Sequence, residues 1–97
     1  MNNVGILDKV KYLLSLPEKS ECSSYEIQKA VEMTKEHSND MVLGRVFGYS
    51  VSDYAIATLE WIGTEESRKE FSRIFGGLSD RRKIDIANLI EKKLYLE

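Results

Sequence analysis

Apolar side chains recur every three or four residues along most of this 97-residue chain. Its one proline and six glycines fall between the recurrent stretches rather than inside them. That spacing is the mark of amphipathic helices, and no stretch alternates with period two for long enough to compete as a strand. The chain is therefore expected to be all-α: about six short helices in a single domain over residues 1–97.

The breaks predict the individual helices. Ile6, Leu7, Val10, Leu13 and Leu14 form the first stripe, which Leu16-Pro17 ends. After a polar loop over Glu18 to Ser23, Ser23-Ser24-Tyr25-Glu26 has the form of a capping box. In that motif a serine oxygen serves an orphan amide and a glutamate three residues on reciprocates. The second helix would carry Ile27, Ala30, Val31 and Thr34 inward and end near His37. Ser38 or Asn39 would cap a short third helix, Asp40 to Phe47, closed by Gly48. Ser50 or Ser52 opens a fourth, with Ala55, Ile56, Leu59 and Ile62 inside and Gly63 at its end. Thr64 caps the fifth, whose Glu65 and Glu66 suit the positive end of the helix dipole. Its stripe is Phe71, Ile74 and Phe75, up to Gly76-Gly77. Ser79 or Asp80 caps the sixth, with Ile84, Ala87, Ile90 and Leu94 facing inward.

Composition fits a folded domain. Hydrophobic residues make up 42% and charged residues 31%, too apolar for a disordered chain and too charged for a membrane one. The longest apolar runs, such as Tyr12-Leu13-Leu14, are far below the ~20 residues of a membrane span. Met1 to Asp8 has no basic region, apolar block or small-residue cleavage site, so no secretory signal is expected. The lone Cys22 excludes an internal disulfide and fits a reducing cytoplasm. A formal net charge of −2 gives little encouragement to a nucleic-acid partner.

The fourth to sixth helices share a pattern. Ala55-Ile56 and Leu59 recur as Ile86-Ala87 and Ile90, and a Gly turn and a capped helix lie between them. The run from Ala55 to Glu65, followed by Leu78-Ser79-Asp80, resembles a HEAT-type repeat over about residues 52–94. That resemblance implies a helical hairpin stack in which small Ala55 and Ala87 let helices approach closely. An irregular helical bundle satisfies the same pattern.

No residue set for catalysis stands out. His37 is the only histidine, and no carboxylate is paired with a nucleophile. One Cys and one His supply too few ligands for a soft-metal site, so neither metal nor cofactor is expected. Cys22 reads as incidental rather than as a reactive thiol, and His37 as a group near a helix C-terminus. Gly76-Gly77 lacks the lysine and glycine spacing of a phosphate loop. Glu65 and Glu66, adjacent on a helix, diverge by about 100° and do not converge on one atom. The basic runs at Lys9-Lys11, Arg68-Lys69, Arg81-Lys83 and Lys92-Lys93 are each offset by nearby acids.

What remains is a surface. Tyr54, Thr58 and Trp61 form a second stripe on the fourth helix, with Asp53 and Glu60 in the narrow polar arc. Either that helix is central and packed on both sides, or Tyr49, Tyr54 and Trp61 form an exposed aromatic patch with acidic edges. The second arrangement has the composition of a binding hot spot. Size, mild acidity and the HEAT-like half together resemble the immunity proteins of bacterial contact-dependent growth inhibition systems. That resemblance implies a cytoplasmic, non-enzymatic protein that covers a toxin domain, often a nuclease. Asp53, Glu60, Glu65 and Glu66 would then meet a basic cleft, with Tyr54 or Trp61 as anchor. A scaffold that binds peptides along a HEAT-like groove, or a helix-turn-helix DNA-binding regulator, are the alternatives.

Overall fold

One helix sits at the centre and the others are laid against it. In the computed structural model, which describes residues 6–19, 21–35, 45–46 and 49–92, that helix is α3 (Val51–Ile62). Around it lie α1 (Ile6–Ser15), α2 (Ser24–Met33), α4 (Glu65–Gly76) and α5 (Asp80–Glu91), each packed on α3. A 3₁₀ turn, Leu16–Glu18, follows α1. The Cα radius of gyration is 12.6 Å, close to the roughly 12.5 Å expected for one compact domain of this length. No described helix is long and apolar enough to cross a membrane.

Local chemistry fixes the helix ends. Ser23 and Ser50 each close a full capping box, with Glu26 and Asp53 as the reciprocating acids. Thr64 and Ser79 each accept the backbone N–H three residues on. Gly63 ends α3 at φ 75°, a left-handed position that costs a glycine little and any other residue strain. α2 stops at Met33, with Thr34 as its C-cap, short of the expected boundary near His37, which lies outside the described residues.

The helix expected over Asp40 to Phe47 is not what the described part of that segment forms. Arg45–Val46 (β1) is extended and pairs antiparallel with Tyr49–Ser50 (β2), Arg45 opposite Ser50 and Val46 opposite Tyr49. Other residues of that expected helix lie outside the described ones. Five α-helices, the 3₁₀ turn and this small ribbon make up the described secondary structure.

The core gathers Val10, Leu13 and Leu16 with Ile27, Ala30 and Val31, all against Tyr54, Ala55 and Leu59 of α3. Nine consecutive residues of α3, Val51 to Leu59, are buried. That stretch is thus enclosed on every side rather than along one stripe, and its buried polar residues are all served. The Thr58 hydroxyl donates to the Leu13 carbonyl at 3.5 Å, and the Ser52 hydroxyl to the Thr34 carbonyl at 2.5 Å. Among the described residues no buried side-chain nitrogen or oxygen lacks a partner, as the cost of desolvation requires.

On α5 the inward face differs from expectation. Ile86 and Leu89 are buried, whereas Ile84 is 60% exposed and Ala87 is exposed; Leu94 lies outside the described residues. Two apolar stripes compete on this helix. Arg82, four residues before Ile86 and on the same face, reaches Asp53 of α3 and turns that face inward. Ala87 therefore does not mediate a close helix approach; Ala55, fully buried, lies in the core.

Candidate functional site

The residues expected to form an acidic-rimmed aromatic patch do not share a surface. Tyr54 is fully buried, and burial pushes its phenol up to about 12, with help from Tyr49 and Asp53. Its ring meets Tyr49 edge to face, centroids 6.0 Å apart. Half-buried Tyr49 has the Lys92 ammonium 5.5 Å from its ring centroid. Trp61 is half-buried and its indole N–H donates to the Ile90 carbonyl at 3.4 Å, tying α3 to α5. The reason for the departure is the central position of α3: its second stripe meets other helices instead of solvent.

Asp53, expected on the rim, is buried as well. One carboxylate oxygen accepts from the Arg82 guanidinium at 2.5 Å, and the other accepts the Ser50 N–H at 3.1 Å. Arg82 also donates to the Ser52 hydroxyl at 3.4 Å. This cluster holds α5 to the start of α3, and with Ser52 bonded to Thr34 it also takes in the end of α2. It is structural chemistry, and Asp53 is not free to meet a partner.

Glu60 is half-buried and Glu65 exposed. Glu66 faces α2: its carboxylate accepts from the Ser24 hydroxyl at 2.8 Å and from the Gln28 amide at 3.3 Å. The same amide nitrogen donates to Glu70 at 3.3 Å, so Gln28 spans two carboxylates one helical turn apart on α4. Arg73 closes the row with a 2.6 Å contact to Glu70. Arg73 and Gln28 hold the Glu70 carboxyl below its ordinary range. In the first turn of α2, Lys19 lowers the Glu26 carboxyl in the same way.

Among the described residues, the exposed large aromatic is on α2. Tyr25 is 71% exposed. With Gln28, Lys29, Glu32 and Met33 it lines an open hollow of about 420 Å³. The Lys29 ammonium lies 5.4 Å from the Tyr12 ring centroid and 6.0 Å from that of Tyr25. Tyr25 was legible in principle. It lies inside the capping box, two residues before Ile27, and a two-residue step turns a side chain about 200° away from the core stripe. A single aromatic on an otherwise polar helix face adds nothing to the apolar period.

A second hollow, of about 560 Å³, is lined by Gly63, Glu65, Arg68, Lys69 and Ser72. Its charges are mixed. Cys22 is half-buried, and its thiol donates to the Leu16 carbonyl at 3.0 Å. Burial pushes the thiol up, away from the reactive thiolate. Among the described residues no group of three or more His, Cys, Asp or Glu side chains is placed to hold a metal ion.

No family model matches the chain, and no curated protein or solved structure matches it either.

Proposed function

We propose that this chain is a protein-binding domain of the inhibitor type, acting as an immunity protein that covers the working surface of a toxin domain such as a nuclease. The observation that carries the reading is Tyr25: a large amphipathic side chain held 71% in solvent on a helix whose opposite face is core. An exposed tyrosine with charged neighbours around it has the make-up of an interface hot spot. The binding surface proposed is thus the outer face of α2 and the adjoining start of α4, where Glu65 and Glu66 lie. Tyr49, Asp53, Tyr54 and Trp61 serve as the scaffold beneath. A cytoplasmic site of action belongs to the same proposal. So does a HEAT-type relation among α3, α4 and α5, supported by the packing of α3 on both of the others.

The test is binding of the full chain to a candidate toxin domain, in the first instance one encoded beside it. A tight complex is expected, and Tyr25→Ala should weaken it about thirtyfold, the loss of one hot-spot residue of ~2 kcal/mol. Trp61→Ala should act mainly through stability. An affinity unchanged by Tyr25→Ala would overturn this choice of surface. Strong, salt-dependent DNA binding with no protein complex would overturn the inhibitor reading in favour of a regulator.

A further inference from the structure

The α2 hollow has one feature that points to the chemistry of what enters it. Glu32 is exposed, and its carboxylate carries no hydrogen bond or ion pair among the described residues. Lys29, three residues away on the same helix, is within the usual i,i+3 reach of Glu32. Its ammonium is instead turned back over Tyr12 and Tyr25. One turn before Glu32, Gln28 spends its amide nitrogen on Glu66 and Glu70. Its carbonyl oxygen has no donor among the described residues, and neighbours four apart on a helix stand about 5–6 Å apart. The lining of the hollow therefore carries two acceptors one turn apart, one of them charged, together with exposed Tyr25 and with Met33, which is buried.

We infer that this hollow accepts an arginine side chain of the partner protein, its guanidinium bridging the Glu32 carboxylate and the Gln28 carbonyl. The inference rests on the protein-binding reading above and names the contact that reading lacks. A planar group with diverging N–H donors can serve two acceptors at once, which a lysine ammonium does less well. The methylene stem of an arginine covers aromatic surface while its head stays hydrated. The ring of Tyr25 adds a cation–π component. Lys29 opposes entry by charge, and its place over the two rings directs it toward Tyr12.

The experiment is an amide chemical-shift titration of the full chain with N-acetyl-arginine-N-methylamide. The lysine and citrulline analogues run in parallel at the same ionic strength. Arginine should give saturable shifts confined to residues 25–33. Citrulline, which keeps the shape and loses the charge, should bind about two- to fivefold more weakly, the worth of one exposed ion pair. Glu32→Gln should lower arginine affinity by a similar factor while leaving helicity intact. Gln28→Met should abolish the preference for arginine over lysine. Shifts equal for arginine and citrulline, or affinity unaltered by Glu32→Gln, would overturn the inference. If that happens while Tyr25→Ala still weakens the toxin complex, only the arginine assignment fails.

Discussion

Replacing Arg82 by methionine removes the guanidinium from Asp53 and leaves most of the methylene stem in place. Asp53 then sits beneath α5 with only the Ser50 N–H to serve its charge. Breaking a fully buried pair costs about 3–5 kcal/mol, whereas an exposed pair is worth about 0.2–1 kcal/mol. Here the side chains are 9% exposed for Asp53 and 31% for Arg82. Water reaches one partner and hardly the other, so the expected cost is about 2–3 kcal/mol. For a domain of this size that lowers the melting temperature by roughly 10–20 °C. Asp53→Asn keeps an acceptor for the Ser50 N–H and removes the charge, for about 1–2 kcal/mol. The double variant should cost about as much as Arg82→Met alone, because the stranded carboxylate is gone, giving a coupling of about 1–2 kcal/mol. Urea denaturation at pH 7 and low salt, followed by far-UV circular dichroism, measures all four species. A cost below about 0.5 kcal/mol for Arg82→Met, or strict additivity of the two changes, would refute the assignment of this pair as the clasp between α5 and α3.

Two glycines should respond oppositely to alanine. Gly63 is at φ 75°, so Gly63→Ala should destabilise by about 1–2 kcal/mol through backbone strain alone, since the nearest atom to an added methyl is 3.8 Å away. Gly76 lies at the end of α4 with nothing within 4 Å, and Gly76→Ala should stabilise by about 0.4–1 kcal/mol in the same denaturation assay. The lowered carboxyls of Glu26 and Glu70 set an acid limit. Groups with depressed folded values contribute above the unfolded carboxyl range, near pH 4.3, and lose that contribution as pH falls through the folded values. The urea midpoint should therefore fall between pH 5 and pH 2, and by less in a Glu26→Gln, Glu70→Gln double variant. An equal fall in both proteins would dismiss these two acids as the source.

The parts of the fold that were legible in the sequence are those decided locally. A capping box needs only residues three apart, and Ser23 with Glu26 was readable before any packing was known. The caps at Thr64 and Ser79 and the stop at Gly63 belong to the same kind. What sequence periodicity leaves open is which of two possible stripes meets the core. On α5, Ile84, Ala87 and Ile90 and the set Ile86 and Leu89 are both spaced for burial, and the long-range contact of Arg82 with Asp53 decides between them. The same contact explains why Asp53 was expected on a surface rim. An isolated acid reads as solvated until its counter-ion is located, here 29 residues further along the chain. The Arg45–Val46 pairing was missed because two-residue strands are too short to show any period. Tyr25 escaped notice for the opposite reason, being a lone aromatic with no stripe to announce it.

Enclosing α3 has a consequence for how such a chain can change over generations. Substitutions in Val51 to Leu59 are felt at once by several neighbouring helices, so that stretch has little freedom to drift. The outward residues of α2 and α4 touch solvent and one another, and exchanges there leave the centre unaware. The buried stretch of α3 and the exposed face of α2 are thus constrained separately, although α2 also lends Ile27, Ala30 and Val31 to the core. A lineage could vary the outer face of α2 repeatedly without having to solve the folding problem again.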